Sequence, residues 1–459
     1  MEVRKMVSII AKISGGVFYS GVGNFVIKIF GAVGYILVLS RMSLHDYGTF
    51  VLLTSLLGPA YAIIFFSFDR IFVSKYSRLR AEGSIGRAKG LAREYYITSL
   101  FILLLSCVSG YFLRGYLSEV YNLYIIKFFW VAMFLMVSQT LMNYVSLMLE
   151  SHEKFKEISI IQTIEAMVRM ILVLLVFFYS TFTVTLVLFM YSVSKMVAVG
   201  VGSFHLLPIL RQLREVGVKA ERGVLKSIMF TIGKWEIATS LLGKILEPWG
   251  LFLIKFFVNI ESVAVYDFAR NIYAFASSLF PVSQVTFPII SRTSSDKEKT
   301  HLIISKAQKY AFIFQSVIFI MALVFTPVVL AYFFKQYIGS EMIIYLTLLH
   351  FISDVYKIGQ TALLYAFNRQ KFVFLLTPFF LLVRLALDVV LVKLIGVAGI
   401  IISWHLYGLL AGFVYNVYIT KTMGIRKILW KEFFSFDSYD RLILSALVKK
   451  IRFLNFFQR

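Results

Sequence analysis

Twelve stretches of roughly 20 mainly apolar residues, separated by short polar loops, constrain this chain more than any other feature. They run at about 15–39, 49–67, 95–113, 123–149, 158–179 and 183–205, then 228–254, 263–287, 310–334, 343–367, 372–392 and 395–419. The seventh is the least apolar. In lipid, only helices and closed barrels satisfy every backbone polar group, and these stretches are too long and too continuously apolar for barrel strands. The expected fold class is therefore an all-α integral membrane protein. Composition agrees: 59% of residues are hydrophobic and 15% charged, far from the even balance of a soluble domain. The 46 Phe and 26 Tyr suit lipid-facing surfaces and interfacial belts. Cys107 is the single cysteine, which excludes a disulfide framework, a cysteine metal site and a redox pair. The opening MEVRKMVSIIAKISGG is basic but has no small-residue cleavage site, so it is expected to stay as part of the first helix.

The net charge of +23 would suggest nucleic acid in a soluble protein. Here its distribution gives another meaning. With the amino terminus placed in the cytoplasm, 33 Lys and Arg fall in cytoplasmic segments and five (Arg41, Arg114, Lys255, Lys335, Lys393) in external loops. Such asymmetry sets both termini inside and an even number of helices in a cytoplasmic (inner) membrane. No nucleic acid partner is expected. The longest loop, 68–94, has room for an amphipathic segment but not for a folded domain, which disfavours an ATP-driven pump or a soluble catalytic lobe. The tail after residue 425 carries eight Lys and Arg against three acids, with Ile443, Leu447, Ile451 and Leu454 on one helical stripe. It is expected to lie on the anionic inner leaflet.

The two halves repeat. Val168-Arg169-Met170 in the fifth stretch follows Lys154-Phe155, and Val383-Arg384-Leu385 in the eleventh follows Lys371-Phe372, at similar separations. SLHDYGTF (43–50) and SVAVYDFA (262–269) each place a Ser four residues before a Tyr. Two six-helix lobes related by a pseudo-twofold axis along the membrane normal follow, with a central cavity between them. The expected divisions are 1–210 (first lobe), 211–227 (cytoplasmic linker), 228–424 (second lobe) and 425–459 (basic tail).

LSRMSLHDYGTFVLLTSLLG (39–58) resembles the first-loop signature of the polysaccharide-biosynthesis, or O-antigen, flippases. These form the lipid-linked oligosaccharide branch of the multidrug/oligosaccharidyl-lipid/polysaccharide (MOP) exporter superfamily. VNIESVAVYDFARNIYAFASSLFPVSQVTFPIISR (258–292) resembles the same family's Y-x-x-A and P-x-x-S stretch at Tyr266, Ala269, Pro288 and Ser291. LIGVAGIIISWHLYGLL (394–410) resembles its G-x-x-G turn at Gly396 and Gly399. The agreement in length, helix number and inside termini extends over essentially the whole chain.

Ionisable groups at membrane depth cost roughly 2.5–3.5 kcal/mol each, so they mark function or are paired. The cations at depth are Lys28, Lys127, Arg169, Lys195, Lys234, Lys244, Arg270, Lys357 and Arg384. Lys127 lies near a helix end and can snorkel. Spacings of three or four pair Glu165 with Arg169, Lys244 with Glu247, Asp267 with Arg270, Asp354 with Lys357, and Arg384 with Asp388. Such pairs have a structural reading as well, since mutual neutralisation lowers the insertion cost. Lys28 and Lys195 have no carboxylate within a turn of their own helix, and Lys234 and Glu236 point to different faces, so these lysines are expected to face an aqueous cavity. Polar stripes support a wet face: Asn24, Lys28, Gly31 and Tyr35 on the first helix; Gln162, Glu165 and Arg169 on the fifth; His350, Asp354, Lys357 and Thr361 on the tenth. The candidate substrate-binding residues are Asn24, Lys28, Arg169, Lys195, Lys234, Arg270, Lys357 and Arg384, with Glu165, Asp267, Asp354 and Asp388 as charge partners.

Lysines at mid-depth attract anions, and Asn, Gln and Tyr suit sugars. The resemblance implies the same cargo, a polyprenyl-diphosphate-linked oligosaccharide moved from the inner to the outer leaflet, with membrane lipids and other polysaccharide-assembly proteins as partners and no cofactor, metal or enzymatic step. The alternative is a cation-coupled multidrug antiporter of the same superfamily. That would need carboxylates in the first lobe, where helix one has none and Glu165 has Arg169 one turn away. A membrane-embedded glycosyltransferase or polymerase would need larger external loops. A doubly anionic headgroup gains roughly 2.3 kcal/mol per charge per 100 mV moving outward, so potential alone is expected to suffice without ion coupling.

Overall fold

The computed structural model describes residues 27–65, 68–121, 125–215, 217–230, 234–278, 290, 296–367, 369–426, 431–437 and 440–441. These residues are helical with short connections, and no strand occurs among them. Helix α1 spans 27–41. It is followed by α2 (Leu44–Ile64), α3 (Asp69–Ala81), α4 (Ile85–Tyr121), α5 (Ile125–Glu150), α6 (Phe155–Tyr179) and α7 (Val184–Glu215). Next come α8 (Val224–Ile228), α9 (Lys234–Leu246), α10 (Trp249–Phe257), α11 (Ile260–Ser278) and α12 (Lys297–Phe333). The remainder is α13 (Glu341–Leu348), α14 (Phe351–Lys357), α15 (Gln360–Ala366), α16 (Gln370–Ile395), α17 (Val397–Tyr418) and α18 (Lys431–Phe434).

Eight helices among the described residues are long and apolar enough to cross a membrane: α2, α4, α5, α6, α7, α12, α16 and α17. They correspond to expected stretches two to six, nine, eleven and twelve. The chain is a multi-pass, all-α membrane protein. Helices α4 and α12 turn Phe101, Leu104, Phe112, Ile320, Val324 and Phe325 outward, which is apolar surface for lipid to cover. Helix α5 is far more enclosed and packs between α4 and α7.

Two expected stretches are interrupted. The seventh is interrupted between α9 and α10 at Pro248, which has no N–H to continue the ladder. The tenth becomes α13, α14 and α15, broken by a turn at Leu349–His350 and by Gly359, whose φ of +79° favours a residue without Cβ. The α16–α17 turn closes at Gly396, φ +62°, while a side chain at Gly399 would overlap the Leu391 carbonyl. That accounts for both glycines of the third motif.

Helices α4 and α12 begin at Ile85 and Lys297 rather than near 95 and 310, because polar contacts extend them past the apolar stretch. Glu94 accepts the backbone N–H groups of Gly223 and Leu225, and Lys89 donates to the Val218 carbonyl. The amphipathic segment expected in 68–94 is α3. Ser43 caps α2 by accepting from the Asp46 N–H at 3.1 Å, whereas in the repeat α11 is capped by Asn259, whose Oδ1 accepts from the Ser262 N–H at 2.7 Å.

The described residues form two compact units. The first takes those up to Ala269 together with Thr326–Ile343 and Phe374–Ile400. The second takes Arg270–Phe325, Ile344–Val373 and those from Ile401 onward, around a core of Ile290, Ile304, Leu363, Leu364, Val373 and Ile419. The tail stripe from Ile443 to Leu454 lies outside the described residues.

Candidate functional site

In the first unit, Glu165 on α6 stands between two cations. Lys195 Nζ on α7 lies 2.9 Å from Glu165 Oε1, and Arg169 Nη1, one turn along α6, lies 3.3 Å from the same oxygen. Glu165 and Lys195 are largely enclosed, at 14% and 13% side-chain exposure. Two cations against one carboxylate leave the cluster positive. The expected Glu165–Arg169 pair forms, and the charge of Lys195 is offset by another helix rather than by its own. Sequence spacing along one helix had no means of revealing that partner.

Aromatic rings run from this cluster toward α1. The Arg169 guanidinium lies 5.0 Å from the Tyr191 ring, which meets Phe50 at 5.9 Å. Phe50 stacks on Tyr47 at 6.1 Å, and Tyr47 meets Tyr35 edge-on at 6.2 Å. The Tyr35 and Tyr47 hydroxyls are hydrogen-bonded at 2.9 Å. Tyr47 then donates to Asp267 Oδ2 on α11 at 2.7 Å. Beside this contact, Gln336 Nε2 donates to the carbonyls of Leu39 and Met42. Tyr47 stands in the first motif, so the sequence marked its position but not its role. Gln336 carried no signal.

Also in the first unit, Arg384 Nε lies 3.6 Å from Asp388 Oδ2 on α16, with Asp388 only 1% exposed. The second charge cluster belongs to the second unit. Lys357 Nζ lies 3.0 Å from Asp354 Oδ1, Tyr273 on α11 donates to Asp354 Oδ2, and His350 Nε2 lies 3.4 Å from Asp354 Oδ1. The expected Asp354–Lys357 pair forms at the broken tenth stretch. Discontinuous membrane helices present unwound backbone and polar groups to a cavity.

Of the other candidates, Lys28 is exposed on α1 and Arg270 is half-buried on α11. Lys234 opens α9, and its side chain, like the whole of Asn24, Pro288 and Ser291, lies outside the described residues. Among the described residues no group of three or more His, Cys, Asp or Glu is placed to hold a metal ion.

The overall fold that carries these groups has counterparts among solved structures. A multidrug-resistance MATE-family transporter of the MOP superfamily, solved in an inward-facing conformation, aligns with a TM-score of 0.72 at 15% identity, covering 87% of this chain and 94% of that one. The lipid II flippase MurJ, in an inward closed conformation, aligns with a TM-score of 0.66 at 15% identity, covering 90% and 89%. A MOP-superfamily transporter from Pyrococcus furiosus aligns at 0.59 and 16% identity, covering 90% and 95%. No curated protein sequence matches the chain. Residues 13–294 match the polysaccharide biosynthesis protein family, and the chain belongs to that family.

Proposed function

We propose that this protein is a flippase. It moves a polyprenyl-diphosphate-linked oligosaccharide from the inner to the outer leaflet of the cytoplasmic membrane, for surface polysaccharide assembly. The observation that carries this reading is the Arg169–Glu165–Lys195 cluster, positive by one charge and continued by the rings of Tyr191, Phe50, Tyr47 and Tyr35. A net positive group at membrane depth attracts a diphosphate, and aromatic faces with hydroxyls suit sugar rings. A cationic drug would be repelled there, which disfavours the antiporter alternative. Family membership supports the polysaccharide branch, and the likeness to a lipid II flippase is consistent with a lipid-linked cargo. The proposal includes twelve helices in two lobes, both termini in the cytoplasm, alternating access of the cationic cavity and no enzymatic step.

Two experiments test it. Reporter fusions at Gly217 and Asp296 should read cytoplasmic and one near Lys335 external; a cytoplasmic signal near Lys335 sinks the topology. Cells lacking the protein should lose surface polysaccharide and regain it with the wild-type chain but not with Arg169→Ala/Lys195→Ala. Full restoration by that double variant, together with export of a cationic dye by the wild type, would replace the flippase with the antiporter.

A further inference from the structure

His350 lies at the turn between α13 and α14 and is 0% exposed. A fully enclosed imidazole needs partners for both ring nitrogens. Its Nε2 faces Asp354 Oδ1 at 3.4 Å. Its Nδ1 lies 3.1 Å from Ser353 Oγ and 3.4 Å from Nδ1 of His405 on α17. His405 Nε2 lies 2.8 Å from the Leu346 carbonyl oxygen. A carbonyl only accepts, so this nitrogen carries the hydrogen, and a neutral His405 turns a bare Nδ1 toward His350.

The protons can then be counted. A neutral His350 with its hydrogen on Nε2 serves Asp354 and can accept from the Ser353 hydroxyl at Nδ1, but it gives no donor to the bare Nδ1 of His405. With the hydrogen on Nδ1 instead, a bare Nε2 faces a carboxylate. One added proton removes both conflicts: the imidazolium donates from Nε2 to Asp354 and from Nδ1 to His405. Trp404 stacks on the His350 ring with centroids 3.6 Å apart at 21°. Asp354, Lys357 and His405 are the titratable groups facing His350, and the Tyr273 ring stands edge-on at 5.6 Å. Enclosure of the ring and the charge of Lys357 both oppose the added proton, so loading stays reversible. Asp354, 44% exposed on its side chain, connects the enclosed ring to the outside of the second unit.

We infer that His350 is a proton-binding site, with Asp354 as the carboxylate through which the proton arrives and His405 as its second acceptor, and that its loading is coupled to transport. A proton from water forms one N–H bond on the lone pair of His350; no other bond breaks, and the site gains one positive charge. Its lodging at the broken tenth stretch lets that charge alter the turn between α13 and α14. The expectation of drive by potential alone rested on the charge of the headgroup and did not weigh this imidazole pair. The coupling, unlike the binding, rests on the flippase reading.

The test has two arms on the full-length chain. In the first, Trp130, Trp235, Trp249 and Trp430 are replaced by Phe, and Trp404 fluorescence is followed in detergent from pH 8 to 3.5. A reversible quench of at least twofold is expected, because imidazolium against indole quenches emission. It should vanish in His350→Gln, shift its midpoint in Asp354→Asn, and persist in His405→Gln, which guards against a misfolded His350 variant. A flat signal, or the same quench in His350→Gln, overturns the site. In the second arm, vesicles containing the protein and a lipid-linked oligosaccharide receive a pH gradient at zero potential. A severalfold change in flipping rate is expected for the wild type and none for His350→Gln. Flipping indifferent to the pH gradient while Trp404 titrates overturns the coupling. A titrating Trp404 with no flipping under any condition upholds the site and overturns the flippase reading instead.

Discussion

Tyr47 donates a 2.7 Å hydrogen bond to Asp267, joining positions 220 residues apart in the chain. Both side chains are buried, and Gln336 donates to the Leu39 and Met42 carbonyls beside them. The start of α2, the start of α11 and the segment after α12 are thereby latched in one unit, at the end that the charge distribution assigns to the exterior. A transport cycle that opens this end has to break the latch.

Tyr47→Phe removes one donor from a buried carboxylate. Hydrogen bonds to charged groups contribute about 1.5–3 kcal/mol, so a shift of tenfold or more toward the opened state is expected. A cysteine at Val263, in a Cys107→Ser background, should react faster with an external thiol reagent in Tyr47→Phe than with Tyr47 intact. Equal rates would mean that the bond does not hold the gate.

The charges around Glu165 should respond asymmetrically. Lys195→Met leaves Glu165 paired with Arg169, whereas Glu165→Gln leaves two enclosed cations together. Breaking a buried pair costs about 3–5 kcal/mol, with these partly enclosed groups at the lower end. Glu165→Gln should therefore lower the melting temperature in detergent much more than Lys195→Met, while Lys195→Met should lower flipping about tenfold with normal amounts in the membrane. The reverse ranking of melting temperatures would contradict this arrangement.

Two acids within the basic tail, Asp437 and Asp440, are clasped to the amino-terminal half of α12. Lys306 Nζ lies 2.7 Å from Asp437 Oδ2, Lys309 Nζ 2.6 Å from Asp440 Oδ2, and Tyr310 donates to Asp440 Oδ1 at 2.7 Å. The hydrogen bond from Lys306 holds the Asp437 carboxyl below its ordinary range. Burial works against ionisation of Asp440, yet hydrogen bonds from Lys309, the Asp437 loop, Tyr310 and Lys306 keep it well below the usual carboxylate range. Folded values below unfolded ones mean that the clasp is fully present above about pH 4 and is lost as pH falls further. Trypsin cleavage after Arg441 should stay slow in Asp440 chains at neutral pH and become fast in Asp440→Asn. Proton-exchange protection of 431–441 measured at pH 5 should match that at pH 7; loss of protection between those values would contradict the sign.

Hydropathy alone made eight spanning helices legible, since each is a continuous apolar run. The breaks at Pro248 and Gly359 were not, because a window of about 20 residues averages over a single turn. The extensions of α4 and α12 were hidden for the opposite reason: their first turns are polar and held by Glu94, Lys306 and Lys309 rather than by lipid. Within the site, spacing found Glu165–Arg169, Asp354–Lys357 and Arg384–Asp388, which are local. Lys195–Glu165 and Tyr47–Asp267 are between helices, and no periodicity along one helix encodes them. His350 was visible in a polar stripe, but His405, a single histidine in an apolar run, became informative only when α17 placed it 3.4 Å from His350.

Flipping itself is the most direct measurement. Vesicles carrying a polyprenyl-diphosphate-linked oligosaccharide in both leaflets are treated from outside with an endoglycosidase that cannot enter. Protein-free vesicles should stop at the outer-leaflet share, about half. Vesicles with the wild-type chain should proceed toward complete cleavage, while those with Arg169→Ala/Lys195→Ala should stop with the empty ones. Cleavage that halts at half in the presence of folded wild-type protein, under imposed potential and pH gradient alike, would contradict the account.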